Sequence, residues 1–167
     1  MQLLCFTVGG DNYAIPSRRV VEVVPLLATR PLPDAPAAVR GLFVHRGRLT
    51  PLIDLARLLG GPPLRDRLST RVIVVDMPRA GTERPARLGV AAEAVLSLCD
   101  DTAATDRLPD VSGLAAPCFA ECLRLDGRTI QCIDVDRLLP PGAWRGLAAA
   151  AGAPAETEPT APAGRQP

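Results

Sequence analysis

The side chains in this sequence that are able to do chemistry are few. There is one histidine, His45, and all nineteen basic residues are arginine. With no lysine, phosphate-loop chemistry is excluded, and no GxGxxG motif occurs either. His45 stands in an apolar stretch just before Gly47, where a lone histidine reads as a surface or packing residue rather than a catalyst. The cysteines are Cys5, Cys99, Cys118, Cys122 and Cys132. Cys118 and Cys122 lie close together, but no second ligand pair follows at a zinc-site spacing. An odd number without repeated spacing does not read as a disulfide framework, so all five are expected as small apolar core residues. The acid pairs Asp100-Asp101 and Asp134/Asp136 read as turn and helix-start residues. Nothing resembles a nucleophile elbow or a kinase signature. The expectation is no catalytic residue, no metal and no cofactor, which shifts weight to a binding role.

The elements that must position these groups are mainly strands. At ~100–200 residues per domain, 167 residues make one domain with enough chain for a real core. Residues 3–8 and 13–15 flank Gly9-Gly10-Asp11-Asn12 as a hairpin. Ser17 is placed to cap a short helical piece over 18–21. Residues 23–27 read as extended, and Pro31, Pro33 and Pro36 break any helix. Residues 41–46 and 48–53 flank Gly47, and Asp54 caps a short helix over 55–59. Residues 71–77 form a buried strand, 78–85 a loop, and 88–98 an extended stretch interrupted by Glu93. Residues 100–117 read as a long connection, and 119–125 and 129–133 flank the hairpin turn Asp126-Gly127-Arg128. Ile53-Asp54-Leu55-Ala56-Arg57-Leu58-Leu59 has a counterpart in Ile133-Asp134-Val135-Asp136-Arg137-Leu138-Leu139, which suggests two similar β units in one chain. Residues 143–151 form a short helix around Trp144 and Leu147. Residues 152–167 carry no large apolar side chain and are expected to be disordered.

Charge and composition exclude further classes. The net charge is +1, which argues against bulk phosphate neutralisation, and only five aromatic residues leave no stacking platform for single strands. A small β-barrel that binds nucleic acid is the alternative reading, but its arginines would have to cluster beside aromatics, and here they are spread among compensating acids. No apolar run approaches the ~20 residues of a membrane helix, and Gly9-Gly10-Asp11-Asn12 comes too soon for a signal peptide. The expected location is the cytoplasm.

Val20-Val21-Glu22-Val23-Val24, Pro36, Gly41, Arg46-Gly47 and Pro51-Leu52-Ile53-Asp54-Leu55 follow one another in an order and spacing that resembles the CheW-like domain family. These are the coupling proteins of bacterial chemosensory arrays. The resemblance covers roughly Leu3 to Leu139, as a domain over 1–142 built of two similar β subdomains. Where family members carry Asn-Leu before Arg-Gly, this sequence has Val44-His45. The family implies a mostly β fold of two intertwined five-stranded SH3-like barrels with short helices, and no catalysis. It implies binding to the regulatory domain of a CheA-type histidine kinase and to the cytoplasmic tip of a chemoreceptor, a helical hairpin. By position, the resemblance implies receptor-binding roles for Arg46, Glu22 and Gly47. Arg46 on its tight Arg-Gly turn would contact the receptor tip, where a guanidinium can hold a carboxylate or helix-end carbonyls in bidentate fashion, the other reading being a solvated turn arginine. Gly47 would permit the positive φ of that turn. Glu22 lies between valines and projects away from the apolar face, and two readings stay open for it: a pair with a basic group on a partner, or solubility alone. Val20 and Leu26 match the kinase-facing surface, as an interface patch or as ordinary core. The output would be motility, surface behaviour or a second messenger.

Overall fold

Three dipeptides fold the chain back on itself. Gly9-Gly10 joins β1 (Gln2–Val8) to β2 (Asp11–Pro16), Arg46-Gly47 joins β4 (Val39–His45) to β5 (Arg48–Asp54), and Asp126-Gly127 joins β10 (Phe119–Leu125) to β11 (Arg128–Ile133). In each pair both residues have positive φ, the two-residue turn whose twist matches that of paired strands. The computed structural model describes residues 1–77, 86–109 and 117–151. The loop expected over 78–85 and the tail over 152–167 lie outside them. The remaining strands are β3 (Val20–Pro25), β6 (Arg71–Met77), β7 (Ala86–Ala92), β8 (Ala94–Asp100) and β9 (Asp106–Pro109).

The strands form two sheets. One runs β3-β6-β7-β5-β4 and the other β8-β1-β2-β11-β10-β9. Read from β3, neighbours are antiparallel, antiparallel, parallel and antiparallel. Read from β8, the same sequence recurs. Even the irregularities match: β3 slips register between Val20 and Glu22, and β8 slips beside Val95 and Ser97. The chain enters one sheet with β1 and β2, builds the whole of the other, and returns to finish the first.

Strand alternation divides the core. Leu4, Phe6 and Val8 on β1 face the other sheet and join Tyr13, Ile15, Phe43, Leu52 and Ile73 in the main cluster. Leu3 and Cys5, one residue out of phase, line the interior of their own sheet with Ala14, Leu123, Leu125, Ile130 and Cys132. The helix α2 (Pro141–Ala150) lays Trp144 and Leu147 onto the main cluster.

The repeated Asp residues both cap. Asp54 is buried and accepts from the amide of Arg57 in the short helix α1 (Leu55–Leu58), and its second oxygen accepts from the Leu64 amide at 2.9 Å. Asp134 accepts from the Asp136 amide at 3.0 Å to start a single 3-10 turn. Ser17 does not cap. It opens a three-residue 3-10 turn that ends at Arg19, because Val20 is already committed to pairing with β6. The connection after residue 100 contains β9, which pairs with β10 and makes that sheet six-stranded rather than five-stranded. The cysteine expectation is corrected in one respect. The antiparallel pairing of β1 with β8 sets Cys99 diagonally across from Cys5, whose direct partner is Ser97, and the two cysteines are joined as a disulfide across a sequence separation of 94. Cys118, Cys122 and Cys132 are buried thiols, as expected, and burial pushes each above its ordinary range, Cys132 to about 12. A thiol held protonated is no nucleophile. Among the described residues no helix is long and apolar enough to cross a membrane.

Candidate functional site

Arg46 and Gly47 occupy the two central positions of the β4–β5 turn, with φ of 49° and 74°. Positive φ is costly for a residue with a Cβ, of order 1 kcal/mol, and here the paired strands impose it. Gly47 meets nothing within 4 Å of a built Cβ, so its role is backbone freedom alone. The turn closes over β3. There the register slip turns Glu22 toward the hairpin end, as bulges do when they re-aim a side chain.

The result is a three-residue cluster on one carboxylate oxygen. Arg46 donates from Nε at 3.1 Å and from Nη2 at 2.9 Å to Glu22 Oε2. His45 Nε2 lies 3.0 Å from the same oxygen. His45 is held in turn at Nδ1 by Arg87 Nη1 of β7 at 3.3 Å, and its ring sits 6.3 Å from that of Phe43. The His45 side chain is only 4% exposed, whereas that of Arg46 is 63% exposed. The hydrogen bond from His45, followed by that from Arg46, holds the Glu22 carboxyl below its ordinary range. Arg46 thus spends one edge of its guanidinium on Glu22 and keeps Nη1 outside that pair.

Of the expected site residues, the structure brings Glu22, Arg46 and Gly47 together. Within the chain, Glu22 pairs with Arg46 and meets Nε2 of His45. Val20 and Leu26 are half-buried and pack on the main core. The exposed apolar groups of this region are their neighbours Val23, Leu27 and, on β4, Val44. Sequence reasoning missed these three, and missed His45 and Arg87 as members of the cluster. The available signal was the internal repeat, in which Leu125 precedes the Asp126-Gly127 turn as His45 precedes Arg46-Gly47.

Among the described residues, four arginines elsewhere are held in ion pairs with acids. Arg19 pairs with Asp136, Arg40 with Asp66 and buried Asp54, Arg87 with Asp76, and Arg107 with Asp101 and Glu121. This distribution gives the nucleic-acid alternative no support.

The CheW-like domain model matches residues 2–141. The chain belongs to the CheW-like domain family. Protein FrzA of Myxococcus xanthus is 33% identical over 115 residues, covering 69% of this chain and 68% of that protein. Chemotaxis protein CheW of Rhizobium meliloti is 26% identical over 144 residues, covering 83% and 87%. The scaffolding protein TtCheW of Thermoanaerobacter tengcongensis shares the fold, with a TM-score of 0.70 at 21% identity over 85% of this chain and 89% of that one. A CheW-like domain therefore accounts for the two matched sheets as its pair of SH3-like barrels.

Proposed function

We propose that this protein is a cytoplasmic, non-catalytic adaptor that couples chemoreceptors to a CheA-type histidine kinase. Membership of the CheW-like family supports the coupling role, and the observation that carries the site is the Glu22–Arg46 pair on the β4–β5 turn. The turn backbone is fixed by strand pairing, and Glu22, itself held by His45, holds the guanidinium from behind. Its outer edge is then presented with little side-chain entropy left to lose. A receptor tip is a helical hairpin, and its carboxylates or helix-end carbonyls suit that edge. Gly47 supplies the turn. The kinase regulatory domain would meet Val20 and Leu26 together with the more exposed Val23, Leu27 and Val44, a small apolar patch of the kind transient signalling contacts bury. Receptor state reaches the kinase through simultaneous occupancy of two faces on a rigid β scaffold, without bond making or breaking.

The test is a titration of the full chain with a kinase regulatory domain and, separately, with a receptor-tip fragment, both from the same organism. Binding to both in the tens of micromolar or tighter is expected. Arg46→Glu should weaken receptor binding at least tenfold and leave kinase binding and the melting temperature nearly unchanged. Folded protein that binds neither partner overturns the proposal. A large loss of stability in Arg46→Glu makes Arg46 a structural residue instead.

A further inference from the structure

The geometry points to His45 as the positioning residue of the Glu22–Arg46 cluster, fixing the face that Arg46 presents to a receptor tip. This inference rests on the receptor-docking reading above. A guanidinium has donors and no acceptor, so the contact between Arg87 Nη1 and His45 Nδ1 requires a bare Nδ1. The ring proton then sits on Nε2 and is donated to Glu22 Oε2. His45 thus accepts at Nδ1 and donates from Nε2, pinned at both nitrogens between β3 and β7.

The other barrel shows what this position needs for packing alone. Leu125 occupies the same place before the same turn, is 5% exposed, and belongs to a purely apolar cluster. An imidazole at such a site brings a desolvation cost that an apolar side chain avoids, and only its hydrogen bonds repay it. Those bonds lead from a buried ring to the half-exposed carboxylate that orients Arg46. Glu22 by itself is a three-torsion side chain at the surface, and Arg46 by itself is longer and more mobile. With a rigid donor from below, the carboxylate has one position, and the two donors of Arg46 are drawn to the oxygen it offers. His45 touches no partner; it acts through Glu22.

The experiment compares wild type with Arg46→Glu, His45→Leu and His45→Gln, all as full chains, titrated with the soluble tip fragment of a chemoreceptor from the same organism. Leu copies the other barrel and keeps the packing. Gln places an amide donor near the position of Nε2. His45→Leu is expected to weaken tip binding three- to tenfold with an unchanged melting temperature, and His45→Gln to stay within twofold of wild type. Long-range proton–nitrogen spectra should show the wild-type ring as the Nε2–H tautomer. If wild type binds and Arg46→Glu does not, but His45→Leu binds like wild type, the positioning role is overturned and the docking reading stands. If Arg46→Glu binds like wild type, or wild type does not bind, the docking reading falls and the inference with it. Equal losses in His45→Leu and His45→Gln, or a Nδ1–H ring, also overturn the role assigned to the Nε2 donor.

Discussion

The hairpins that end in Arg46-Gly47 and in Asp126-Gly127 share a backbone and differ in what surrounds it. Their turn φ values are 49° and 74° in one and 47° and 72° in the other. Before the turn, one has buried His45 and the other buried Leu125. On the strand that each turn faces, the register slip is followed by Glu22 in one sheet and by Ser97 in the other. Asp126 is exposed, and no ion pair of the described residues involves it. The architecture supplies two equivalent platforms, and the residues at 22, 45 and 46 give one of them a charged cluster that the other lacks.

The same doubling allows the comparison to be broken experimentally. The largest effect should come from the paired aspartates. Asp54→Ala leaves the buried Leu64 amide unpaired and removes a cap, so it should cost about 3 kcal/mol by urea unfolding. Asp134→Ala loses only a cap and should cost about 1 kcal/mol. Equal costs would mean that the repeat is energetically symmetric. A similar contrast holds at Gly89, where an added Cβ would meet Phe43 at 2.6 Å. Pairing against β5 and β11 makes Ala14 its counterpart. Gly89→Ala should therefore destabilise by about 2 kcal/mol through overpacking.

The turns come next. Asp126→Arg puts an arginine where no carboxylate waits, so it should leave unfolding within about 0.5 kcal/mol and receptor binding unchanged. Arg46→Asn keeps a residue that tolerates positive φ, so the melting temperature should hold while receptor binding drops about tenfold. The smallest effect is in titration. The Glu22 carboxyl should titrate below the ordinary carboxylate range by carbon NMR, and His45→Leu should move it up more than loss of any other single contact. Because the folded value is depressed, the associated stability is present above the unfolded carboxylate value. It is lost as pH falls through the folded one. An unmoved titration in His45→Leu would mean that Arg46 alone holds the carboxylate.

Much of this was legible in the chain because it is local. Gly9-Gly10, Arg46-Gly47 and Asp126-Gly127 announce hairpins, and an Asp before Leu-Ala-Arg-Leu announces a cap. What was not legible depends on barrel closure. Glu22 and Arg46 are 24 residues apart, and only the curl of the sheet and the slip in β3 bring them together. Cys5 and Cys99 meet through the pairing of β1 with β8, across a greater separation. Asp106-Arg107-Leu108-Pro109 has no strand character of its own and is extended because β10 offers an edge. His45 reads in sequence as a surface or packing residue; it is buried, and its hydrogen bonds required the fold.

The order in which the chain visits its two sheets has a consequence for how the protein is made. The sheet that carries the Arg46 turn is drawn from one uninterrupted stretch, Val20 to Ala92, and is complete as soon as β7 leaves the ribosome. The first hairpin, β1–β2, emerges earlier but finds its parallel neighbour β11 only when residues 128–133 have been synthesised. During that interval the faces of Leu3, Cys5 and Ala14 have no lid. The sheet of the Arg46 turn is thus able to close before the other has all its strands, and an unfinished chain exposes the apolar face of its first hairpin.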